Sequence, residues 1–317
     1  MKRTGVRLAA AIGAFCWASV AGAQSIEVQE IDNPSAESGF YVRASYGHRF
    51  DANIDEVDIK GVPGSNNVPG NGDFSTNDVR GEVGGTIKFS ESIRWANYLG
   101  YGFNNYDSDA INADVNNLTW ASLVGWDMDR NWSILFGPVV SAYAQWGADW
   151  GKSISAGGVF GTVYHPTRDL SVGLALVTVK RFEDDISLLP VLMTNWNFAR
   201  DWNLRTGMTE VAARRGIGAT VAWSFARDFQ LLGGLQFENR RFRQDRGDLI
   251  VNDRSLPIFA SVQWDIVEGL SLSGELGVAV GGQLKQRDKN DDHTILIADY
   301  DAAPILGVRL QYALSGL

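Results

Sequence analysis

The chain has 317 residues, with 28 Lys and Arg against 37 Asp and Glu, a formal charge of −9, 35 Gly, 11 Trp and one Cys. An acidic chain without a clustered basic patch is a poor match for nucleic-acid phosphates, and a single cysteine excludes a disulfide-stapled secreted domain. Abundant Gly and Trp with almost no thiol suit an envelope β-protein.

Met1 to Ala23 places Lys2, Arg3 and Arg7 ahead of an apolar run from Leu8 to Val20 and the small residues Ala21-Gly22-Ala23. That order predicts a secretory signal peptide cleaved before Gln24, because the run is shorter than the roughly 20 residues a membrane-crossing helix needs. Cleavage removes Cys16 with the segment and, by taking away its three basic residues, moves the formal charge from −9 to −12. Residues 24–38 read as a polar periplasmic lead-in, and 39–317 as the main domain.

From residue 39 the sequence alternates: Phe40, Val42, Ala44 and Tyr46 share one face, Tyr41, Arg43, Ser45 and Gly47 the other. Period-two runs of this kind predict strands. In chain order they cover 39–49, 78–89, 93–104, 116–127, 131–143, 153–164, 169–180, 186–197, 201–211, 216–225, 228–240, 255–265, 269–283 and 302–314. The count is fourteen, with twelve or sixteen as the neighbouring readings.

Six short turns link these strands on one side, each flanked by large apolar anchors six positions apart. They run from Phe89 to Trp95, Trp126 to Trp132, Tyr164 to Leu170, Trp196 to Trp202, Trp223 to Phe229 and Trp264 to Leu270. Four carry Arg then Asp or Asn before the second anchor, at Arg130-Asn131, Arg168-Asp169, Arg200-Asp201 and Arg227-Asp228. Anchors so placed share one face across a tight hairpin. Their aromatic members form a girdle of the kind that collects where hydrocarbon meets water on the periplasmic side of an outer-membrane barrel. On the other side the connections are longer and more polar, over 50–77, 105–115, 144–152, 181–185, 212–215, 241–254 and 284–301.

Short turns on one rim and long loops on the other predict an all-β fold, a transmembrane antiparallel up-and-down β-barrel with its long loops outside the cell. The thirteenth strand sets Leu270, Leu272, Leu276, Val278 and Val280 against Ser271, Ser273, Glu275, Gly277 and Ala279. In a soluble sandwich that apolar face would need a second packed layer. A bilayer satisfies it directly, and closure leaves no unpaired edge. A propeller is the soluble alternative, but each repeat here supplies two long strands, not four short ones.

The opposite face then looks into the lumen. Strand parity puts Arg43, Arg80, Lys88, Arg94, Arg205, Arg240 and Arg309 there with Glu82, Glu238 and Glu275, seven positive charges against three negative. A wide pore with that lining favours anions; in a narrow lumen the same charges pair across strands and fill it. A second basic group, Arg181, Arg214, Arg215, Arg241, Arg243 and Arg246, falls in the outer loops, where guanidinium forks suit lipopolysaccharide phosphates and where a solvated rim needs no ligand. Asp288, Asp291, Asp292 and His293 lack the glycine and terminal glutamate of a calcium loop, so neither metal nor cofactor is expected. The histidines are His48, His165 and His293, with no serine elbow beside them; no enzymatic activity is expected.

This arrangement resembles bacterial outer-membrane barrels in general. The stretches Leu188-Leu189-Pro190-Val191, Phe198-Ala199-Arg200-Asp201-Trp202 and Leu256-Pro257-Ile258-Phe259 resemble a family of predicted outer-membrane barrels known only as a domain of unknown function. The resemblance implies contact with outer-membrane lipid and lipopolysaccharide and insertion by the barrel-assembly machinery, and it lends no catalytic residues. One departure is the C-terminus, Ser315-Gly316-Leu317, where such barrels end in an aromatic residue; Tyr312 is near by. The expected function is a porin-like channel of the cell outer membrane for small, anionic solutes. A non-conducting structural or envelope-binding barrel whose loops take lipopolysaccharide or another ligand, and an outer-membrane hydrolase, are the alternatives.

Overall fold

The computed structural model describes residues 38–59, 68–69, 72–108, 111–181, 186–245, 249–288 and 294–315. The signal segment, the lead-in up to residue 37, Arg246, Asp291, Asp292, His293 and the last two residues lie outside them.

Fourteen strands form one closed antiparallel barrel: β1 (Gly39–Ile59), β2 (Asp73–Lys88), β3 (Ile93–Ser108), β4 (Ala113–Asp127), β5 (Trp132–Gln145), β6 (Ile154–Thr167), β7 (Leu170–Lys180), β8 (Ile186–Ala199), β9 (Trp202–Val211), β10 (Arg214–Ala226), β11 (Phe229–Arg243), β12 (Leu249–Val267), β13 (Leu270–Asp288) and β14, which runs in two segments, Thr294–Tyr300 and Ala303–Ser315. Each strand pairs with the next, and β14 closes on β1 with Phe40 opposite Leu314, Val42 opposite Tyr312 and Ala44 opposite Leu310. Closure gives the backbone amides and carbonyls partners without water, which is what hydrocarbon demands.

Through the middle of the barrel the apolar face points outward. Val42, Leu99, Leu174, Leu192, Leu276 and Val308 are exposed, while Tyr41, Tyr98, Ala175, Val191, Glu275 and Gly307 beside them are buried. At the turn rim the aromatic anchors face outward too and stack across strands, Trp202 on Trp223 at 5.5 Å and Phe229 on Trp264 at 5.9 Å between ring centroids. Trp132 and Tyr164 lie 4.8 Å apart, and Phe89 and Trp95 5.9 Å. Phe89 and Trp95 flank one turn; the other three contacts join one turn to the next into a belt, because the second anchor of a turn is the cross-strand neighbour of the first anchor of the following one.

Beyond the apolar band several strands run further than their sequence suggests. Residues 50–59 continue β1, Asp73 already begins β2, and β12 and β13 extend to Leu249 and Asp288, so much of the expected loops 50–77, 241–254 and 284–301 is strand. Gly, Asn and Asp mark these stretches as loop by composition. In the structure their alternate residues Ala52, Ile54, Phe74, Phe242, Val251, Leu284, Ala298 and Tyr300, with Tyr106 and Val115 from the 105–115 stretch, converge on a buried core inside the barrel. The polarity has changed: at this end apolar side chains pack inside, around the buried pair Arg49 and Asp253, where the middle of the barrel turns them outward.

One hairpin leaves the wall. Pairing between β8 and β9 stops at Thr194 with Thr206, and pairing between β10 and β11 stops at Ile217 with Phe237. Between those points β9 and β10 continue to pair with each other as far as Val211 with Arg214. The departure is at Gly207, whose φ of +113° is open to glycine and strained for any other residue. Above the gap β5 and β11 meet in a parallel bridge at Ala144 and Arg243.

Candidate functional site: the lumen and its inturned hairpin

Residues 208–216 turn into the lumen and reach the opposite wall. A Cβ placed on Gly47 of β1 would stand 3.1 Å from the Cβ of Ala213, and one on Gly307 of β14 would stand 3.4 Å from that of Ala212. The tip therefore rests on two glycines: a Cβ on Gly47 would push it away by a few tenths of an ångström, and one on Gly307 would only touch it. The turn holds Ala212 at φ +44°, in the left-handed region; Ala212 and Val211 are buried.

Charged side chains fasten the hairpin on both flanks. Glu210 accepts from Arg43 Nη1 at 2.7 Å and lies 3.6 Å from Arg309. Arg215 pairs with Glu210 at 3.1 Å, bonds Glu82 and the Tyr98 hydroxyl, and stacks over the Tyr98 ring at 4.9 Å. Arg43 also reaches Glu82 at 3.2 Å. On the other flank Arg214 Nε donates to Glu275 at 2.8 Å, Nη1 to Glu238 at 3.4 Å and Nη2 to the backbone oxygen of His48 at 3.3 Å. These groups come from β1, β2, β3, β11, β13 and β14, so one short segment is tied to strands around much of the barrel.

A further set closes the outer side. Arg49 lies 3.3 Å from Asp253 and 3.6 Å from Glu238, and it donates to the Tyr300 hydroxyl at 2.6 Å. Arg240 pairs with Asp78 at 2.7 Å and with Glu238 at 3.3 Å. Below the hairpin the wall is apolar over β4 to β8, where Leu123, Leu135, Val163, Val177, Val191 and Met193 pack with Met208 of the hairpin. Near the turn rim Arg94 pairs with Asp127 at 2.8 Å, Asp127 accepts from the Ser133 hydroxyl at 2.6 Å, and His165 lies between Ser133 and Ser171 at 3.1 and 2.8 Å. Burial beside this chain of polar groups lowers the His165 pKa, against the opposing effect of Asp127. Asp127 reaches serine, not the imidazole, so the geometry is not that of a nucleophile with its base and orienting acid.

Of the residues expected in the lumen, Arg43, Glu82, Arg94, Glu238 and Glu275 are buried on the inner face, and Arg80, Arg240 and Arg309 are largely covered there. Lys88 lies at the rim and pairs with Glu91 at 3.0 Å. Arg205, opposite Asn195 and Thr220, is exposed and among the described residues has no hydrogen-bonding or ionic partner. The expected basic excess is offset by acids that strand parity had left in loops or uncounted. Among the described residues Asp78, Glu210 and Asp253 join Glu82, Glu238 and Glu275 opposite Arg43, Arg49, Arg80, Arg214, Arg215, Arg240 and Arg309.

The outer basic rim requires correction. Arg214 and Arg215 do not reach outward, because their hairpin turns inward at Gly207. Arg241 and Arg243 are buried, β11 meeting the end of β5 where they lie. Arg181 is half-buried and bonds Ser187 at 2.8 Å. His48 bonds Asn77 at 2.9 Å. No group of three His, Cys, Asp or Glu among the described residues is placed to hold a metal ion.

No protein-family model and no curated protein matches the chain, so the likeness to the uncharacterised barrel family rests on the residues quoted for it. Solved structures do match. An outer-membrane channel from Pseudomonas putida F1 superposes with a TM-score of 0.51 at 10% identity, over 91% of this chain and 100% of that one. A Pseudomonas aeruginosa FadL homologue gives a TM-score of 0.50 at 10% identity, over 87% of this chain and 90% of that one. At this identity the likeness establishes the fold: this chain is an outer-membrane-type β-barrel.

Proposed function

We propose that the protein is a channel of the outer membrane for small solutes, closed at rest by the β9–β10 hairpin. The observation that carries the reading is that strands, not a separate plug, both line and fill the lumen. The hairpin has a vacated place to return to. Continuing the registers Thr194–Thr206 and Ile217–Phe237 outward would set Met208 opposite Leu192 and Arg215 opposite Asn239, completing the wall and withdrawing the hairpin from the lumen; the side-chain core at the outer end is a second constriction that must part with it. The channel named for the P. putida neighbour supports the same class of function. The anion preference is the finer part of the proposal. It rests on Arg205 in the lower lumen, since the remaining charges nearly balance.

Planar-bilayer conductance tests this with a reversible lock. Gly47→Cys with Ala213→Cys puts two thiols at the resting contact, where the Cβ atoms would stand 3.1 Å apart and the tip must give by a few tenths of an ångström to reach the roughly 3.5–4.5 Å of a disulfide; the sequence after the signal segment has no cysteine to compete. The oxidised double variant should be silent and reduction should restore openings, while deletion of residues 208–216 should raise the open probability above that of the wild type. A deletion variant that folds, shown by heat-dependent gel mobility, yet stays silent would refute the channel and favour the non-conducting envelope barrel.

A further inference from the structure

Where β10 parts from β11 above Ile217 and Phe237, the inturned hairpin leaves a polar cavity of about 40 Å³ between its tip and the outer wall. Arg80, Arg215 and Arg240 line it with Glu238, Asn104 and Tyr143. The lining carries three guanidinium groups and one carboxylate. Arg215 and Arg240 are engaged, by Glu82 and Glu210 and by Asp78 and Glu238 respectively. Arg80 differs. Its side chain retains 20% exposure, and among the described residues its one ionic neighbour is Glu82 at 3.8 Å, beyond hydrogen-bonding distance. A guanidinium lining a small polar cavity without a close carboxylate suits an oxyanion.

We infer that this cavity binds a small monovalent oxyanion, a carboxylate of one or two carbons, with Arg80 as its primary donor. Size favours a small ligand: about 40 Å³ holds a few waters or one such ion, since a single water needs roughly 10–15 Å³ on the same measure. Ala213 and Gly216 of the hairpin also line the cavity, so a bound anion touches the wall and the movable element together. The site deepens the channel reading by naming a solute class and a place for it. Binding itself does not depend on conduction.

The test is 13C line broadening of labelled formate added to the refolded full-length protein, with sodium gluconate, too large for the cavity, as the background salt. Saturable broadening is expected in the wild type, weakened about tenfold in Arg80→Gln and partly restored in Arg80→Lys, as loss of one charge-assisted contact implies. Because Arg80 makes only the long contact to Glu82, its removal leaves the hairpin's seat in place, and heat-dependent gel mobility confirms the fold of each variant. Absence of saturable broadening in the wild type, or equal broadening in Arg80→Gln, overturns the site. Neither result bears on the conductance of the deletion variant, so failure here is distinguishable from failure of the channel.

Discussion

Single side chains decide whether the hairpin stays in. Glu210 accepts from Arg43 and Arg215 and faces Arg309, so Glu210→Gln leaves three buried cations short of a carboxylate. Breaking a buried pair in this way costs about 3 kcal/mol, roughly a hundredfold in a two-state ratio, and single-channel open probability should rise accordingly. Ala212→Gly acts in the opposite direction. Relief of the left-handed strain at φ +44° is worth about 1 kcal/mol, and openings should become rarer. At the turn rim His165 has its pKa lowered by burial. The unfolded imidazole therefore takes up a proton at a higher pH than the folded one, and stability falls as pH drops from the ordinary imidazole value through the lowered one. Thermal melts should show that loss in the wild type and not in His165→Asn; identical pH profiles would rule the effect out.

At the scale of the strand, parity located most of the lumen-facing residues and the aromatic belt, because a period of two leaves each side chain only two directions. It failed where a strand leaves its sheet. Arg214 and Arg215 sit in what reads as a short outer loop, yet Glu210 to Arg215 holds no Gly, Pro, Asn or Asp, the residues that external turns use. With Gly207 just before it, that absence was the available signal of a hairpin with an apolar tip. Arg49 and Asp78 continue the inward parity of β1 and β2 and could have been counted; Asp253 was hidden by a loop-like composition. The lipid-facing set makes its own prediction. Leu276→Arg, on the exposed face of β13, should cost about 2–4 kcal/mol if it lies near the midplane, measured by urea unfolding in lipid vesicles. A change within error would mean that this face does not meet hydrocarbon.

For the whole molecule, the barrel changes its inside-out order along its axis. Its middle turns apolar side chains to lipid and charges inward, and its outer end turns Phe74, Tyr106, Phe242 and Tyr300 inward around Arg49 and Asp253. A channel opened by deleting residues 208–216 loses Glu210, Arg214 and Arg215 together. Arg43, Arg49, Arg80, Arg240 and Arg309 then remain opposite Asp78, Glu82, Glu238, Asp253 and Glu275, with Arg205 in addition. Its reversal potential in a salt gradient should show only a slight anion preference. A strongly cation-selective channel would refute that assignment of the lumen charges.

Alternation, anchor spacing and the asymmetry of turn lengths were enough to place fourteen strands in the barrel's middle, with twelve or sixteen as neighbouring readings, and to turn their apolar face outward, since each is a local property of consecutive residues. Whether the lumen is open was decided only in three dimensions. It depends on Gly47 and Gly307 lying across the barrel from Ala213 and Ala212, and on acids far apart in the chain converging on one arginine-bearing hairpin. No local pattern encodes distances between opposite walls, which closure of the sheet alone sets.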